Sequence, residues 1–134
     1  YNYRMTNLQA SIGCAQLDRI EDLIESKKKI EKDYMNTLSS LGFINWQKEF
    51  DGKSKVVWLV SVLVEEFDRD EIIKIMKSRN IDVRPFFYPL SSMPIYSKYS
   101  TDIKNSFIIS KKGINLPTVK NLDHGRIFDA FKSL

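Results

Sequence analysis

The polar side chains at the start of the chain are the first candidates for chemistry. Asn2 and Arg4 lie shortly before Thr6, a typical helix N-cap, and Gln9 completes a capping box three residues later. The helix is therefore predicted to begin at Asn7. Because the N-terminal end of a helix is electropositive, donors placed here could bind an anion such as a phosphate. An ordinary capped helix is the commoner explanation of the same residues.

The second candidate is the stretch 82–90, in which Arg84 leaves a predicted strand and enters an aromatic loop stiffened by prolines. The aromatic residues are Phe86, Phe87 and Tyr88. Such a loop can form the wall of a pocket for a sugar or a nucleotide, since aromatic rings provide flat apolar surface. Equally, the phenylalanines could fill the core while Arg84 pairs with a surface acid. The residues alone leave both interpretations open.

The sequence contains no complete catalytic constellation. His124 is the single histidine and has no second metal donor nearby, so a capping or surface role is favoured over metal binding. The acids at 65–66, Asp68 and Asp70 are explained by solvation and helix capping. There is no glycine-rich phosphate loop and no nucleophile elbow. We therefore predict binding features, with no catalytic residue and no metal site.

Length and composition describe an ordinary globular domain. The 134 residues suit one core, and 43% hydrophobic with 28% charged residues argues against disorder. The net charge of +4 includes one basic run, 27–29, whose acidic neighbours indicate a solvated helix face. The single cysteine, Cys14, is predicted to be a buried packing residue. No apolar run approaches the roughly 20 residues of a membrane span, so a soluble, cytoplasmic protein is expected.

Apolar residues at helical spacing predict one helix over residues 7–41, in which Gly13 could allow a bend and a left-handed Gly42 ends the helix. Such a helix would be about 50 Å long, which exceeds the diameter of a small domain. The small residues at 10–15 would permit close approach of another domain or subunit. We therefore expect an approach loop and linking helix over 1–41, and a small domain over 42–134. The chain would be a fragment whose large domain is absent.

The remaining elements follow from residue patterns. Strands are predicted at 43–46, 56–65 and 81–84, and helices at 69–79, 103–112 and 122–132. The middle strand is expected to be buried on both faces, and Asp68 is expected to cap the helix at 69–79. Residues 86–102 are predicted to be irregular, and 114–116 to be a short extended piece. This order indicates an α+β fold with a small, mostly antiparallel sheet packed with helices.

Three stretches resemble one enzyme family. Residues 1–10, followed by Gly13, resemble the segment entering the C-terminal domain of the DegT/DnrJ/EryC1/StrS aminotransferases. Residues 84–90 and 93–96 are similar to the substrate-side loop of that family, especially as found in perosamine synthetases. Residues 113–117 resemble its late GLNLP motif. The three matches occur in the order of the family and span nearly the whole chain.

The resemblance implies a fold-type-I aminotransferase that uses pyridoxal 5'-phosphate to transfer an amino group, commonly from glutamate, to a nucleotide-linked keto-sugar. The lysine that holds the cofactor would belong to the absent large domain, so the fragment would be inactive alone. The family enzyme is a homodimer, and no nucleic-acid or membrane partner is implied. Its asparagine matching Asn2 reaches across the subunit boundary to the cofactor phosphate, and Arg4 lies in the same loop.

The resemblance also places Arg84, Phe86 and Tyr88 in the loop that borders the sugar-nucleotide site. Ser91 departs from the pattern, since many relatives carry histidine there, and a hydroxyl is neither a cation nor a strong base near neutral pH. The sugar and its nucleotide therefore stay open. A sugar dehydratase of the same family is an alternative. A free-standing nucleic-acid-binding module would need a basic, aromatic sheet face, which the valine-rich strand does not offer.

Overall fold

The computed structural model describes residues 2–99 and 103–134. In these ranges the α-helices are α1 Asn7–Leu17, α2 Ile20–Thr37, α3 Arg69–Ser78, α4 Lys104–Lys112 and α5 His124–Lys132. The strands are β1 Ile44–Trp46, β2 Val60–Val64, β3 Arg84–Pro85 and β4 Gly113–Leu116. They form one four-stranded sheet in the order β1-β2-β4-β3, and every neighbouring pair is antiparallel. The predicted α+β fold with a small antiparallel sheet is confirmed.

One face of the sheet packs against α2, α3 and α5 to form the core. On β2, Val60, Val62 and Val64 are buried, whereas Ser61 and Leu63 are only half-buried. The side chains of a strand alternate between its two faces, so β2 has one fully buried face. The prediction that this strand is buried on both faces was wrong, because the second face carries the polar Ser61 and is covered only in part.

The strands are shorter than predicted where no partner strand is available. β2 begins at Val60 instead of residue 56, because its neighbours β1 and β4 pair only with residues 60–64. The strand predicted at 81–84 is reduced to β3. Pro85 is the last residue of β3, which is possible because β3 lies at the edge of the sheet.

The single helix predicted over 7–41 is two helices with a break at Asp18 and Arg19. The amide of Asp18 donates to carbonyl oxygens of the last turn of α1, and Arg19 leaves the helical conformation at φ −118° and ψ 13°. Gly13 lies inside α1, so the bend is not there. Helix α2 ends at Thr37 and α1 has no buried residue, so only α2 is held by packing onto the core.

Two predictions about single residues were also wrong. Cys14 is exposed, because α1 packs on nothing in the described chain that would bury it. Gly42 has no positive φ; the one described glycine with that conformation is Gly52, at +74°. The predicted caps are present, since Thr6 and Gln9 form the capping box of α1, and Asp68 caps α3.

The piece predicted at 114–116 is part of β4, one of the two inner strands of the sheet, and all residues of β4 are buried. Two long side chains of α2 fix the chain that follows it. The hydroxyl of Tyr34 donates to the carbonyl oxygen of Pro117 at 2.9 Å, and Nζ of Lys27 donates to that of Thr118 at 2.8 Å. Lys27 therefore has a structural role beyond the solvated face predicted for residues 27–29.

The predicted irregular segment contains two 3-10 helices, Leu90–Ser92 and Pro94–Tyr99, and its residues 100–102 lie outside the described ranges. Helix α5 begins two residues later than predicted and is capped by Asp123. His124 is partly buried and makes an edge-to-face contact with Tyr34, with ring centroids 4.6 Å apart. None of the helices within 2–99 and 103–134 combines the length and the apolar character needed to cross a membrane.

Candidate functional site

A groove of about 610 Å³ lies beside β3, the end of β4 and α5. Its lining includes Trp58, Arg84, Phe87, Asn115, Pro117 and Arg126. These residues combine aromatic rings with two guanidinium groups and one amide. Apolar concavities with a few convergent polar groups are the usual form of a small-molecule site, so this groove is the candidate functional site.

Two aromatic side chains form one wall of the groove. The rings of Trp58 and Phe87 stack with centroids 6.0 Å apart and planes 14° from parallel. Trp58 is 69% exposed and Phe87 is 56% exposed, although both are large and apolar. Phe86 meets Phe87 edge to face, with centroids 5.6 Å apart. The pair therefore presents a flat apolar surface, which suits a planar ring or the apolar face of a sugar.

Arg84 brings a positive charge to the groove. Its Nη2 lies 3.1 Å from Oδ2 of Asp82, and the two side chains are 74% and 77% exposed. An ion pair this exposed is weak, because water screens both charges. The ion pair of Arg84 with a surface acid, which was one of the two interpretations of the sequence, is therefore present. It still leaves the guanidinium available to a phosphate or a sugar hydroxyl.

The other residues of the predicted substrate loop do not line this groove. Phe86 is half-buried and borders a different cavity, together with Ile109. Tyr88 is exposed, and Ser91 is partly buried with an Oγ that has no hydrogen-bond partner in the described part of the chain. The structure brings Arg84 and Phe87 together at the groove, while Phe86, Tyr88 and Ser91 lie along the loop beside it.

The predicted anion site at the start of the chain is an exposed cluster of donors. Oδ1 of Asn2 accepts hydrogen bonds from the backbone nitrogen of Arg4 at 3.1 Å and from its Nε at 3.3 Å. Oδ1 is thereby occupied, and the groups left for a ligand are the Asn2 amide nitrogen and the terminal guanidinium nitrogens. Donors of this kind, with one positive charge, suit a phosphate. Both side chains are exposed, and the described residues do not enclose them.

Three of the groove residues named above were not predicted as site residues from the sequence. The sequence patterns place Trp58 in a strand, Asn115 in a short extended piece and Arg126 in the last helix. An aromatic residue ahead of a strand is no signal by itself. A buried polar residue within an apolar strand is a signal, and Asn115 between Ile114 and Leu116 carries it. Arg126 is positioned by a hydrogen bond from its guanidinium to the carbonyl oxygen of Arg79.

The described residues contain no candidate metal site. No cluster of three or more His, Cys, Asp or Glu side chains in 2–99 and 103–134 could hold an ion. In the core, burial raises the pKa of Tyr34 well above its usual range near 10. The groove itself offers aromatic, guanidinium and amide groups that can bind and orient a ligand.

The sequence profile of one family matches residues 1–133, which is almost the whole chain. The chain belongs to the DegT/DnrJ/EryC1/StrS aminotransferase family. Among curated relatives, it is 38% identical to GDP-perosamine synthase from Vibrio cholerae over 88% of this chain and 33% of that one. It is 33% identical to GDP-perosamine synthase from Escherichia coli O157:H7, over all of this chain and 36% of that one. The chain thus spans about a third of the length of these relatives.

Solved structures of the family have the same fold. A sugar aminotransferase from Micromonospora echinospora superposes with a TM-score of 0.85 at 13% identity, over 99% of this chain and 36% of that one. A DegT/DnrJ/EryC1/StrS aminotransferase from Brucella abortus superposes with a TM-score of 0.81 at 19% identity, over 97% and 36%. At such identities these matches establish the α+β fold of the family domain.

Proposed function

We propose that this chain is the C-terminal part of a pyridoxal-phosphate-dependent enzyme that transfers an amino group from glutamate to a nucleotide-linked keto-sugar. The observation that carries the proposal is the 38% identity to a GDP-perosamine synthase, together with a family match across residues 1–133. Perosamine-type amino-sugar synthesis in the cytoplasm is accordingly the reaction we expect. The lysine that binds the cofactor would lie in a large domain preceding residue 1, so the 134-residue chain would be inactive alone.

The proposed division of the chain gives residues 1–41 a linking role and residues 42–134 the role of the small domain. The exposure of α1 supports this division. Leu8, Ile12 and Leu17 are exposed large apolar side chains on a helix with no buried residue. Since burying apolar surface is favourable, α1 is suited to pack against the large domain or the second subunit of a homodimer.

Asn2 and Arg4 are proposed to hold the cofactor phosphate, with Asn2 reaching the site of the partner subunit. Bound pyridoxal phosphate would supply an electrophilic carbonyl that accepts the amino group and later gives it to the sugar. The Asn2 amide and the Arg4 guanidinium donate hydrogen bonds and positive charge to a phosphate. Their exposure in this chain fits a site completed by another surface.

The loop that begins at Arg84 is proposed to border the nucleotide-sugar site, with contacts from Arg84, Phe86, Tyr88 and Ser91. The support is the groove itself, where the Arg84 guanidinium lies beside the exposed ring of Phe87. A guanidinium suits the pyrophosphate of a nucleotide sugar, and an aromatic ring suits a base or a sugar face. Ser91 would contribute a neutral hydroxyl.

The test uses the complete polypeptide of the parent gene, assayed in reverse with GDP-perosamine and 2-oxoglutarate. Formation of glutamate is the expected result, and the 134-residue chain alone should form none. Amino transfer by the isolated 134-residue chain would contradict the proposal that the cofactor-binding lysine lies in another domain. Absence of glutamate with both GDP-linked and dTDP-linked amino-sugars would contradict the aminotransferase itself. Loss of water from a nucleotide-linked sugar, without amino transfer, would identify a dehydratase of the family instead.

A further inference from the structure

Asn115 lies on β4, between β2 and β3, and is one of the residues that line the groove. It pairs with Ser61 of β2 on one side and with Arg84 of β3 on the other. Residues directly opposite in antiparallel strands share a face, so Ser61, Asn115 and Arg84 form one row across three strands. The neighbours of Asn115 on β4 are Ile114 and Leu116, which are buried in the core. The polar row therefore lies on the face away from the core.

The Asn115 side chain is buried, at 7% residue exposure, and both of its ends are hydrogen-bonded. Its Oδ1 accepts from Oγ of Ser61 at 2.6 Å, and its Nδ2 donates to the carbonyl oxygen of Pro85 at 3.3 Å. A buried amide with both ends paired has one orientation. The Asn115 side chain therefore links β4 to the carbonyl group of Pro85, the residue after Arg84.

Arg84 belongs to the short edge strand β3. It has only two residues, and Pro85 has no N–H to donate to the sheet. The adjacent backbone contact is the Phe86 amide donating to the Gly113 carbonyl at 2.9 Å. The bond from Asn115 to Pro85 therefore adds a side-chain contact to the backbone pairing of Arg84 with Asn115.

We infer that Asn115 is a positioning residue that sets Arg84 for substrate binding through its hydrogen bond to the Pro85 carbonyl. The Arg84 side chain is 74% exposed and is paired with the equally exposed Asp82, so its backbone is the part held in place. When substrate binds, fixing the Arg84 side chain costs conformational entropy, and the cost is larger if its backbone must be fixed as well. The inference rests on the proposed function, because it takes the groove as the nucleotide-sugar site.

A double-mutant cycle in the complete, cofactor-loaded enzyme tests the inference. The four proteins are wild type, Asn115→Ala, Arg84→Ala and the double variant, assayed with GDP-perosamine and 2-oxoglutarate. Asn115→Ala is expected to raise KM for GDP-perosamine about tenfold, with kcat within about twofold, because it removes binding and leaves the reacting groups in place. If Asn115 acts through Arg84, the double variant should resemble Arg84→Ala to within about twofold.

Two further variants separate positioning from structure. Ser61→Ala removes the donor to Oδ1 but keeps the bond from Nδ2 to Pro85, so KM should change by less than about twofold. Asn115→Asp keeps the size of the side chain and replaces Nδ2 with an oxygen, so KM should rise as in Asn115→Ala. Thermal unfolding of every variant shows whether it folds.

The outcomes distinguish this inference from the proposed function. A wild type without aminotransferase activity overturns the proposed function. An active wild type in which the KM effects of Asn115→Ala and Arg84→Ala simply multiply overturns the positioning role alone. The positioning role is likewise overturned if Asn115→Ala or Asn115→Asp lowers the unfolding temperature but leaves KM unchanged.

Discussion

Trp58 and Phe87 stack with their ring centroids 6.0 Å apart, although one precedes β2 and the other follows β3. The two positions meet because β4 lies between those strands and pairs with both. The stack is exposed and lines the groove that also contains Arg84. An exposed aromatic pair at the mouth of a groove is a surface available to a ligand.

We expect Trp58→Ala in the complete enzyme to raise the Kd for GDP-perosamine roughly five- to tenfold, because it removes half of the flat apolar wall. Trp58→Phe should retain most of the affinity. Phe50→Ala is the matched control, since Phe50 is equally exposed but does not line the groove. Isothermal titration calorimetry measures the effect, and equal Kd values for Trp58→Ala and Phe50→Ala would remove the stack from the site.

Gly113 is a position where the side chain of Phe86 and the backbone of α4 leave no room for a Cβ. A Cβ built there would lie 2.5 Å from Cβ of Phe86 and 2.7 Å from the carbonyl oxygen of Ile109. Gly113→Ala should therefore lower the free energy of unfolding by about 1–3 kcal/mol, the usual cost of overpacking. Gly42→Ala meets nothing within 4 Å and should be nearly neutral. Urea unfolding of the 134-residue chain compares the two variants. Equal unfolding midpoints for Gly113→Ala and Gly42→Ala would contradict a steric clash at position 113.

Tyr34 should make the stability of the domain sensitive to alkaline pH. Burial raises the pKa of Tyr34 above that of the unfolded chain, which is near 10. Above about pH 10 the unfolded state releases the phenolic proton while the folded state keeps it. The contribution of Tyr34 is therefore complete below that pH, and is lost by up to about 1.4 kcal/mol for each pH unit above it.

We expect Tyr34→Phe to cost about 1 kcal/mol at pH 7, because the hydrogen bond to the Pro117 carbonyl is lost. Above pH 10 the variant should lose stability less steeply than wild type. Urea unfolding at pH 8 and near pH 11 measures both effects. The control is Tyr99→Phe, because Tyr99 is 70% exposed. This variant should show the same dependence of stability on pH as wild type. Parallel pH profiles for wild type and Tyr34→Phe would contradict the assignment.

Asn2→Ala in the complete enzyme is expected to weaken retention of pyridoxal phosphate by about fivefold or more, since a hydrogen bond to a charged group is lost. Arg4→Ala should act in the same direction. Asn36→Ala serves as the control, because Asn36 is also exposed but lies on α2. Equilibrium dialysis of the cofactor gives the affinities. Unchanged retention in Asn2→Ala would remove Asn2 from the cofactor site.

The helix caps were predictable from sequence because they depend on hydrogen bonds between residues close together in the chain. Thr6 with Gln9, and Asp68, cap their helices as predicted. The α+β class and the family were predictable as well, from the order of elements and from three motifs in the right succession. The break at Asp18 and Arg19 was not, since the apolar spacing continues through it.

By itself, the sequence determined the approximate positions of most helices and strands, the caps of α1 and α3, and the family to which the chain belongs. Only the tertiary structure decided where the strands end and which side chains meet at the groove. Strand pairing is the physical reason, because a strand extends only as far as a partner distant in sequence can pair with it. The same pairing aligns Ser61, Asn115 and Arg84 in one row, which no local pattern in the chain could predict.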